Sequence, residues 1–133
     1  MSIIVDSNII LDILTKDKNW YEWSAEKLAE YAAENDLIIN QIIYAEISIR
    51  FSKVEELDEV LKEANIKCEN MPFEAGFLAG KCFMAYKKRG GVKGSVLPDF
   101  YIGAHAAITR RPILTRDKGR YVSYFKNLRV VSP

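Results

Sequence analysis

Ile3-Ile4-Val5-Asp6-Ser7-Asn8 follows the first two residues, with three β-branched apolar side chains before three small polar ones. A short apolar run that ends at turn-forming residues predicts a strand buried on both faces. The polar residues predict the start of a helix over 9–14, because their side chains accept hydrogen bonds from the first helical turn. Open α/β sheets bind ligands beyond the carboxyl ends of their strands, which makes Asp6 a candidate functional residue. An aspartate that only caps a helix is the alternative.

Short apolar runs alternate with amphipathic segments along the rest of the chain. Further strands are predicted at 37–39, 66–68, 112–115 and 128–131. Helices are predicted at 20–35, 41–51, 54–64 and 73–88, from 97 onward, and in a short segment ending at 124 or 125. Asn40 is predicted to cap the helix after the second strand. This alternation predicts an α/β fold with a mostly parallel sheet covered on both faces.

Length and composition are typical of one globular domain over residues 1–133. The chain is 49% hydrophobic and 28% charged, which is ordinary for a soluble protein. No apolar run approaches the roughly 20 residues of a membrane-spanning helix, and no signal sequence is recognised. A cytoplasmic protein without membrane contact is therefore expected. One histidine, and two cysteines without a CxxC motif, argue against a zinc site.

Charge is distributed unevenly along the chain. Residues 1–74 contain 16 acidic and 7 basic residues, whereas residues 75–133 contain 12 basic residues and only two acidic ones, Asp99 and Asp117. Such asymmetry is a recognised indication of nucleic-acid binding. The alternative is that the two halves interleave in space, so that their electrostatic fields cancel.

Four acidic residues occupy positions that are unusual for a solvated surface. Asp6 and Asp117 follow predicted strands. Asp99 lies in the first turn of a helix rich in small residues, and Glu46 lies within an isoleucine stripe. Asp99 and Asp117 each have a structural alternative, a favourable helix-dipole interaction or a helix cap. Glu46 is expected to point toward the sheet, where a lone carboxylate is costly unless it is paired or binds metal.

Together these carboxylates predict a site for a hard divalent cation. Mg²⁺ and Mn²⁺ prefer a few carboxylate oxygens together with water and substrate phosphate. Such an ion activates a water molecule and neutralises charge on a phosphodiester, which is the chemistry that metal-dependent nucleases need. Nearby Arg and Lys side chains would hold the polyanionic backbone.

Four segments, in their order and spacing, resemble a known family. They are Ile4-Val5-Asp6-Ser7-Asn8, Ile42-Ile43-Tyr44-Ala45-Glu46, Leu97-Pro98-Asp99-Phe100-Tyr101-Ile102-Gly103-Ala104-His105-Ala106, and Leu114-Thr115-Arg116-Asp117 followed by Tyr121 and Phe125. With them the chain resembles the PIN-domain ribonucleases, and within these the VapC-type toxins of bacterial and archaeal toxin–antitoxin pairs. The resemblance covers essentially the full length.

The resemblance implies a three-layer α/β/α sandwich with a five-stranded, mostly parallel sheet. It implies that the four acidic residues surround one or two Mg²⁺ or Mn²⁺ ions, steadied by Asn8 and Thr115. The implied reaction is endonucleolytic hydrolysis of RNA, often tRNA or ribosomal RNA, by a metal-activated water. The implied partners are a VapB-like antitoxin that blocks the site and a second copy of the chain in a homodimer.

Basic residues near the acids are candidate RNA contacts. Arg116 and Arg120 flank Asp117 and are the preferred phosphate contacts. A second basic group surrounds a glycine-rich loop, and it either clamps RNA or forms only a solvated helix end. That group consists of Lys87, Lys88, Arg89 and Lys93.

Other polar and aromatic residues favour structural roles. His105 lies among alanines and is expected to pack or to form a hydrogen bond rather than to act as a general base. Trp20 and Trp23 lie three apart on one helix face, either in the core or in a groove for a partner helix. Asp12, on the first predicted helix, is expected to be a surface acid.

Two other functions are alternatives to a metal-dependent endoribonuclease. A phospho-accepting domain of the aspartyl-phosphatase kind needs a second aspartate two residues after the first, and that position is Asn8; the acid pair and lysine of a receiver domain are not evident either. A non-catalytic RNA-binding PIN-like module predicts the loss of one or more of the four acids, and all four are present. The endoribonuclease is therefore the leading interpretation.

Overall fold

A five-stranded parallel sheet forms the centre of the fold. The computed structural model describes residues 1–91 and 97–133, without the side chain of Arg120. The strands are β1 Ser2–Val5, β2 Asp36–Ile39, β3 Ile66–Cys68, β4 Ile113–Leu114 and β5 Val130–Val131. They lie in the order β3-β2-β1-β4-β5, and all four strand pairs are parallel. The five predicted strands are confirmed, and the described sheet is wholly rather than mostly parallel.

Helices connect the strands and cover both faces of the sheet. In the part of the chain that the structure describes they are α1 Ser7–Thr15, α2 Tyr21–Ala32, α3 Gln41–Ser48, α4 Val54–Glu63, α5 Phe73–Lys88, α6 Leu97–Ile108 and α7 Lys118–Tyr124. None of these combines the length and apolar character that a membrane-spanning helix needs. The predicted three-layer α/β/α sandwich is confirmed.

The middle strand β1 shows why the sheet is covered on both sides. Ile3, Ile4 and Val5 are all fully buried. Successive side chains of a strand point to opposite faces, so both faces of β1 must be covered. A continuous rather than alternating apolar run is the sequence signal of such a strand. Each of these buried side chains contributes about 1.5–3 kcal/mol to stability.

Two local features position helices around the carboxyl ends of the strands. Asn40 caps α3 as predicted, since its Oδ1 accepts a hydrogen bond from the Ile43 N–H at 3.0 Å. In α6, Gly103 allows Phe125 to pack directly on the helix, because a Cβ at Gly103 would overlap the Phe125 ring. Phe125 is the C-cap residue of α7, so this contact packs the end of α7 on α6.

Candidate active site

The carboxyl ends of β1 and β4 meet at the middle of the sheet. β1 pairs with β2 on one side and with β4 on the other, so strand order reverses between β1 and β4. Such a reversal opens a crevice, which is where open α/β sheets bind ligands. Asp6 directly follows β1, and Thr115 directly follows β4. The crevice is therefore bordered by residues from both ends of the chain.

Asp6 is buried and held by four hydrogen-bond donors. Its Oδ1 accepts from the Ser7 N–H at 2.7 Å. Its Oδ2 accepts from Thr115 Oγ1 at 2.8 Å, the Tyr121 hydroxyl at 3.0 Å and Asn8 Nδ2 at 3.4 Å. Only 4% of Asp6 is exposed. Burial raises the pKa of its carboxyl group from 3.8 to about 6, although the hydrogen bonds from Thr115 and Tyr121 lower it. A perturbed carboxyl group in a crevice is a candidate functional group.

Glu46 and Asp99 bring two further carboxyl groups to this crevice. Glu46, in α3, accepts a hydrogen bond at 2.7 Å from the hydroxyl of Ser7, the neighbour of Asp6. Burial raises the pKa of Glu46, and the charge of Asp99 raises it further. Asp99 lies in the first turn of α6, and its charge also raises the pKa of Asp6. These three acids therefore lie close enough to influence one another's ionisation.

Asp117 lies at the exposed edge of the crevice. It is the N-cap residue of α7, and its backbone N–H donates to Thr115 Oγ1 at 3.1 Å. Within residues 1–91 and 97–133, no three His, Cys, Asp or Glu side chains form a group that could hold a metal ion. Carboxylates repel one another, so their convergence is favoured by a cation between them. Of the four predicted acids, Asp6, Glu46 and Asp99 thus influence one another's pKa values, and Asp117 lies at the exposed edge of the crevice.

The sequence matches a known family over almost its whole length. The PIN domain family matches residues 3–126. This chain belongs to the PIN domain family. Among curated proteins, none matches the sequence closely enough to count as a relative.

Solved structures share the fold of this PIN domain. VapBC2 from Rickettsia felis, bound to a DNA fragment from its promoter, has a TM-score of 0.74 and 20% identity, with 100% of this chain and 99% of that chain covered. VapBC-1 from nontypeable Haemophilus influenzae has a TM-score of 0.73 and 20% identity, covering 99% and 98%. A toxin–antitoxin complex from Klebsiella pneumoniae has a TM-score of 0.67 and 21% identity, covering 99% and 98%. At these identities the likeness shows a common fold.

Arg116 forms an ion pair within this PIN domain. Its Nε donates to Asp12 Oδ2 at 2.7 Å and its Nη2 to Asp12 Oδ1 at 3.0 Å. Ser24 Oγ donates to the same carboxylate at 2.6 Å. Asp12 is only 2% exposed, so its expected surface position was wrong. This ion pair uses Nε and Nη2 of the guanidinium group, which the sequence predicted as a phosphate contact. The third nitrogen, Nη1, takes no part in the ion pair.

Lys88 and Arg89 lie exposed at the C-terminal end of α5. The Arg89 guanidinium lies 5.1 Å from the centre of the Tyr124 ring, which packs edge to face on Phe100 at 5.1 Å. Phe100 directly follows Asp99 in α6. The rings of Tyr124 and Phe100 therefore connect the Arg89 guanidinium to the residue next to Asp99. Lys93 and the side chain of Arg120, also predicted as RNA contacts, lie outside the described part of the structure.

Two residues of the site had no role assigned from the sequence. Ser7 contacts both Asp6, through its N–H, and Glu46, through its hydroxyl. Its sequence signal is the same as that of any residue at a helix start. Tyr121 is buried and donates to Asp6. In the sequence, Tyr121 lies four residues after Asp117, a spacing that places two residues on the same face of a helix. That spacing could have indicated its position at the site.

His105 has the structural role that the sequence indicated. Its ring is fully buried, and Asn40 Nδ2 donates to its Nδ1 at 3.0 Å while its Nε2 donates to Glu69 Oε2 at 3.0 Å. Arg111 donates to the same Glu69 oxygen. Burial lowers the pKa of His105, which favours the neutral imidazole that these partners require. The network joins α6 to the ends of β2 and β3.

Proposed function

We propose that this PIN domain, a single domain over residues 1–133, is a metal-dependent endoribonuclease and the toxin of a type II toxin–antitoxin pair. The observation that supports this most directly is the crevice in which Asp6, Glu46 and Asp99 influence one another's ionisation. PIN-domain proteins are generally nucleases. The proposed substrate is tRNA or ribosomal RNA, and the proposed location is therefore the cytoplasm.

Mg²⁺ or Mn²⁺ is the proposed cofactor, and the support for it is the carboxylate chemistry of the crevice. The pKa values of Asp6 and Glu46 are raised, and among the described residues neither forms a salt bridge, so no described Lys or Arg balances their charges. Carboxylate oxygens are the ligands that these cations prefer. The proposed ligands are Asp6, Glu46, Asp99 and Asp117. When bound, the ion supplies a more acidic water and neutralises charge on the phosphodiester.

The protein's own side chains orient the acids and bind the substrate. The hydroxyl groups of Thr115 and Tyr121 hold one oxygen of Asp6. Ser7 holds the other oxygen of Asp6 and one oxygen of Glu46. Hydrogen bonds of this kind favour the ionised carboxylates, which is the form that binds metal and accepts protons at neutral pH. The proposed phosphate contacts are Arg116, Arg120, Lys88 and Arg89.

RNA cleavage with and without metal ions tests this function. The protein is expected to cut total cellular RNA at a few discrete sites with Mg²⁺ or Mn²⁺ and to cut none in EDTA. Asp99→Asn is expected to reduce cleavage by at least about a hundredfold, because it removes one negative charge from the site. Glu59→Gln removes an exposed acid of α4 and is the matched control, with cleavage unchanged. Mapping the RNA ends would identify the target.

The alternative function is a non-catalytic RNA-binding PIN-like module. A folded wild-type protein that binds RNA but cuts none with either ion would establish that alternative. Cleavage that persists in Asp99→Asn at the wild-type rate would contradict the proposed site. Cleavage that is equally fast in EDTA would contradict the proposed cofactor.

A VapB-like antitoxin is the proposed protein partner. Structural neighbours are VapBC or toxin–antitoxin complexes. On this chain, apolar side chains line a groove between α1, α2 and α4, among them the half-buried Ile13, Leu28 and Val60. Such a groove accepts an apolar side chain from a partner helix. Trp23 packs on the core, with Trp20 against it edge to face, which favours the core interpretation of this pair. A neighbouring gene for a small DNA-binding protein would support the antitoxin.

A homodimer through α5 is also proposed. Phe73 and Phe77, four residues apart on one side of α5, are 97% and 71% exposed. Large apolar side chains that share an exposed face are typical of an interaction surface. Twofold symmetry brings the same face of two copies together, so each copy can cover the exposed phenylalanines of the other.

Phe77→Ser is expected to convert the dimer into a monomer, because it removes the apolar contact at the centre of the proposed interface. Size-exclusion chromatography with light scattering measures this change. Val122→Ser, at an exposed apolar residue of α7, is the matched control and is expected to keep the dimer. A wild-type monomer, or a dimer that survives Phe77→Ser, would contradict the α5 interface.

A further inference from the structure

A basic cavity lies at the opposite end of the strands from the candidate active site. Its volume is about 700 Å³. Arg110 and Arg111, which precede β4, contribute to its wall together with Lys126 and Arg129, which precede β5. All strands are parallel, so these residues lie beside the amino ends of β4 and β5, whereas Asp6 follows a carboxyl end. The cavity is therefore separate from the acidic crevice.

Positive charge dominates this cavity. Four of the residues in its described wall are Lys or Arg, and none is Asp or Glu. Arg111 is paired with Glu69. Arg110, Lys126 and Arg129 are exposed, and within the described residues they form no salt bridge. Like charges around a concave, low-dielectric surface concentrate their field, so the expected ligand is an anion.

Aromatic and apolar side chains form the rest of the wall. Tyr124 and Phe125, at the C-terminal end of α7, line the cavity together with Leu128. Phe125 is only 5% exposed, and the Tyr124 ring packs on Phe100 with the Arg89 guanidinium over it, so these rings form an apolar floor. The exposed cations are thus the groups that contact a ligand, and they suit the phosphates of a nucleic-acid strand. The connection to the acidic crevice through α7 favours RNA over an acidic peptide.

Helix α7 connects the cavity to the acidic crevice. Tyr121 donates to Asp6 at 3.0 Å, and Tyr124 and Phe125, one helical turn later, line the cavity. One turn advances only about 5.4 Å along the helix axis. The guanidinium group of Arg89 over the Tyr124 ring adds a cation beside this path. A single strand that leaves the crevice along α7 reaches the cavity within a few nucleotides.

We propose that this basic cavity is a second RNA-binding site, which holds the substrate strand at a distance from the bond that is cut. The inference rests on the proposed endoribonuclease function. It assigns Arg110, Lys126 and Arg129 to phosphate binding. The site increases affinity for RNA that extends beyond the cleaved nucleotides, and it takes no part in the chemical step.

RNA binding in the absence of metal tests this proposal. The probe is a fluorescein-labelled oligouridylate of about 16 nucleotides, titrated with the full chain in EDTA at several salt concentrations and read by fluorescence anisotropy. Lys126→Gln/Arg129→Gln is expected to raise the Kd about tenfold. It is also expected to reduce the slope of log K against log salt by about 1.4, or about 0.7 for each lost phosphate contact.

Lys18→Gln/Lys62→Gln removes two exposed cations from the acidic half of the chain and is the matched control, with Kd and slope unchanged. All four substituted residues are exposed, so both variants are expected to keep the wild-type melting temperature. Equal Kd values and slopes for the two variants would overturn the proposal, and so would a wild type that binds no RNA.

Poly-glutamate is the second probe, and it separates RNA from an acidic protein segment. Loss of poly-glutamate binding in Lys126→Gln/Arg129→Gln, with RNA binding unchanged, would overturn the proposal in favour of the protein ligand. The anisotropy measurement needs no cleavage. A wild type that binds RNA through the cavity but never cuts it would therefore refute the nuclease and not the cavity.

Discussion

Asp6→Asn is expected to reduce metal-dependent RNA cleavage by at least about a hundredfold, because it removes the most buried charge of the site. The same change is expected to leave the metal-free protein at least as stable as the wild type at pH 7. Burial raises the pKa of Asp6 from 3.8 to about 6, and each unit corresponds to about 1.4 kcal/mol against the ionised form in the folded state. The neutral amide avoids this cost, although it loses part of the hydrogen bonding from Thr115 and Tyr121.

The pH dependence of stability checks this reasoning. The folded carboxyl group, with a pKa of about 6, binds a proton more tightly than the unfolded group does at 3.8. Asp6 therefore makes the wild type lose stability as pH rises from about 4 to above 6, and Asp6→Asn lacks this contribution. Urea unfolding in EDTA is expected to show a free-energy difference that grows in favour of the variant across this window. A difference that shrinks instead would contradict the raised pKa.

Metal binding provides the control for the same variant. An ion that binds only the folded state raises stability according to its concentration relative to Kd. Millimolar Mg²⁺ or Mn²⁺ is therefore expected to raise the melting temperature of the wild type, and Asp6→Asn is expected to lose most of that rise while keeping its fold. A wild type whose melting temperature is indifferent to both ions would contradict a shared acidic metal site.

Arg116→Met is expected to destabilise the protein by about 3 kcal/mol. The substitution keeps an apolar stem but removes the guanidinium group that binds both oxygens of Asp12. Asp12 then stays buried with Ser24 as its remaining side-chain donor. A buried carboxylate that loses its partner costs more than the pair itself contributes. Urea unfolding at neutral pH measures the loss.

Asp12→Asn/Arg116→Met is the companion variant. It is expected to recover part of the lost stability, because the unpaired charge disappears together with its partner. Arg50→Met, at an exposed arginine after α3, is the matched control and is expected to change the unfolding free energy by less than about 0.5 kcal/mol. If Arg116→Met were as stable as Arg50→Met, the ion pair would be dispensable, and the whole guanidinium group would be available for RNA.

Local patterns in the sequence were enough to predict the architecture. The continuous apolar run at Ile3, Ile4 and Val5 predicted a strand buried on both faces, because a helix or a half-exposed strand would need polar residues within it. Strands that alternate with helices predicted the parallel sheet. Asp6 and Glu46 were candidate site residues because one ends an apolar strand and the other interrupts an apolar stripe. In each case the signal lies within a few residues of the feature.

Several features that depend on residues far apart in the chain were not predicted. Asp12 and Arg116 are 104 residues apart, and each by itself has the pattern of a surface residue. Asp6 and Tyr121 are 115 residues apart. The basic cavity likewise combines the segments before two different strands. No helix or strand propensity specifies such contacts. They exist because the order β3-β2-β1-β4-β5 sets the first strand beside the fourth, and only the packing of the complete chain establishes that order.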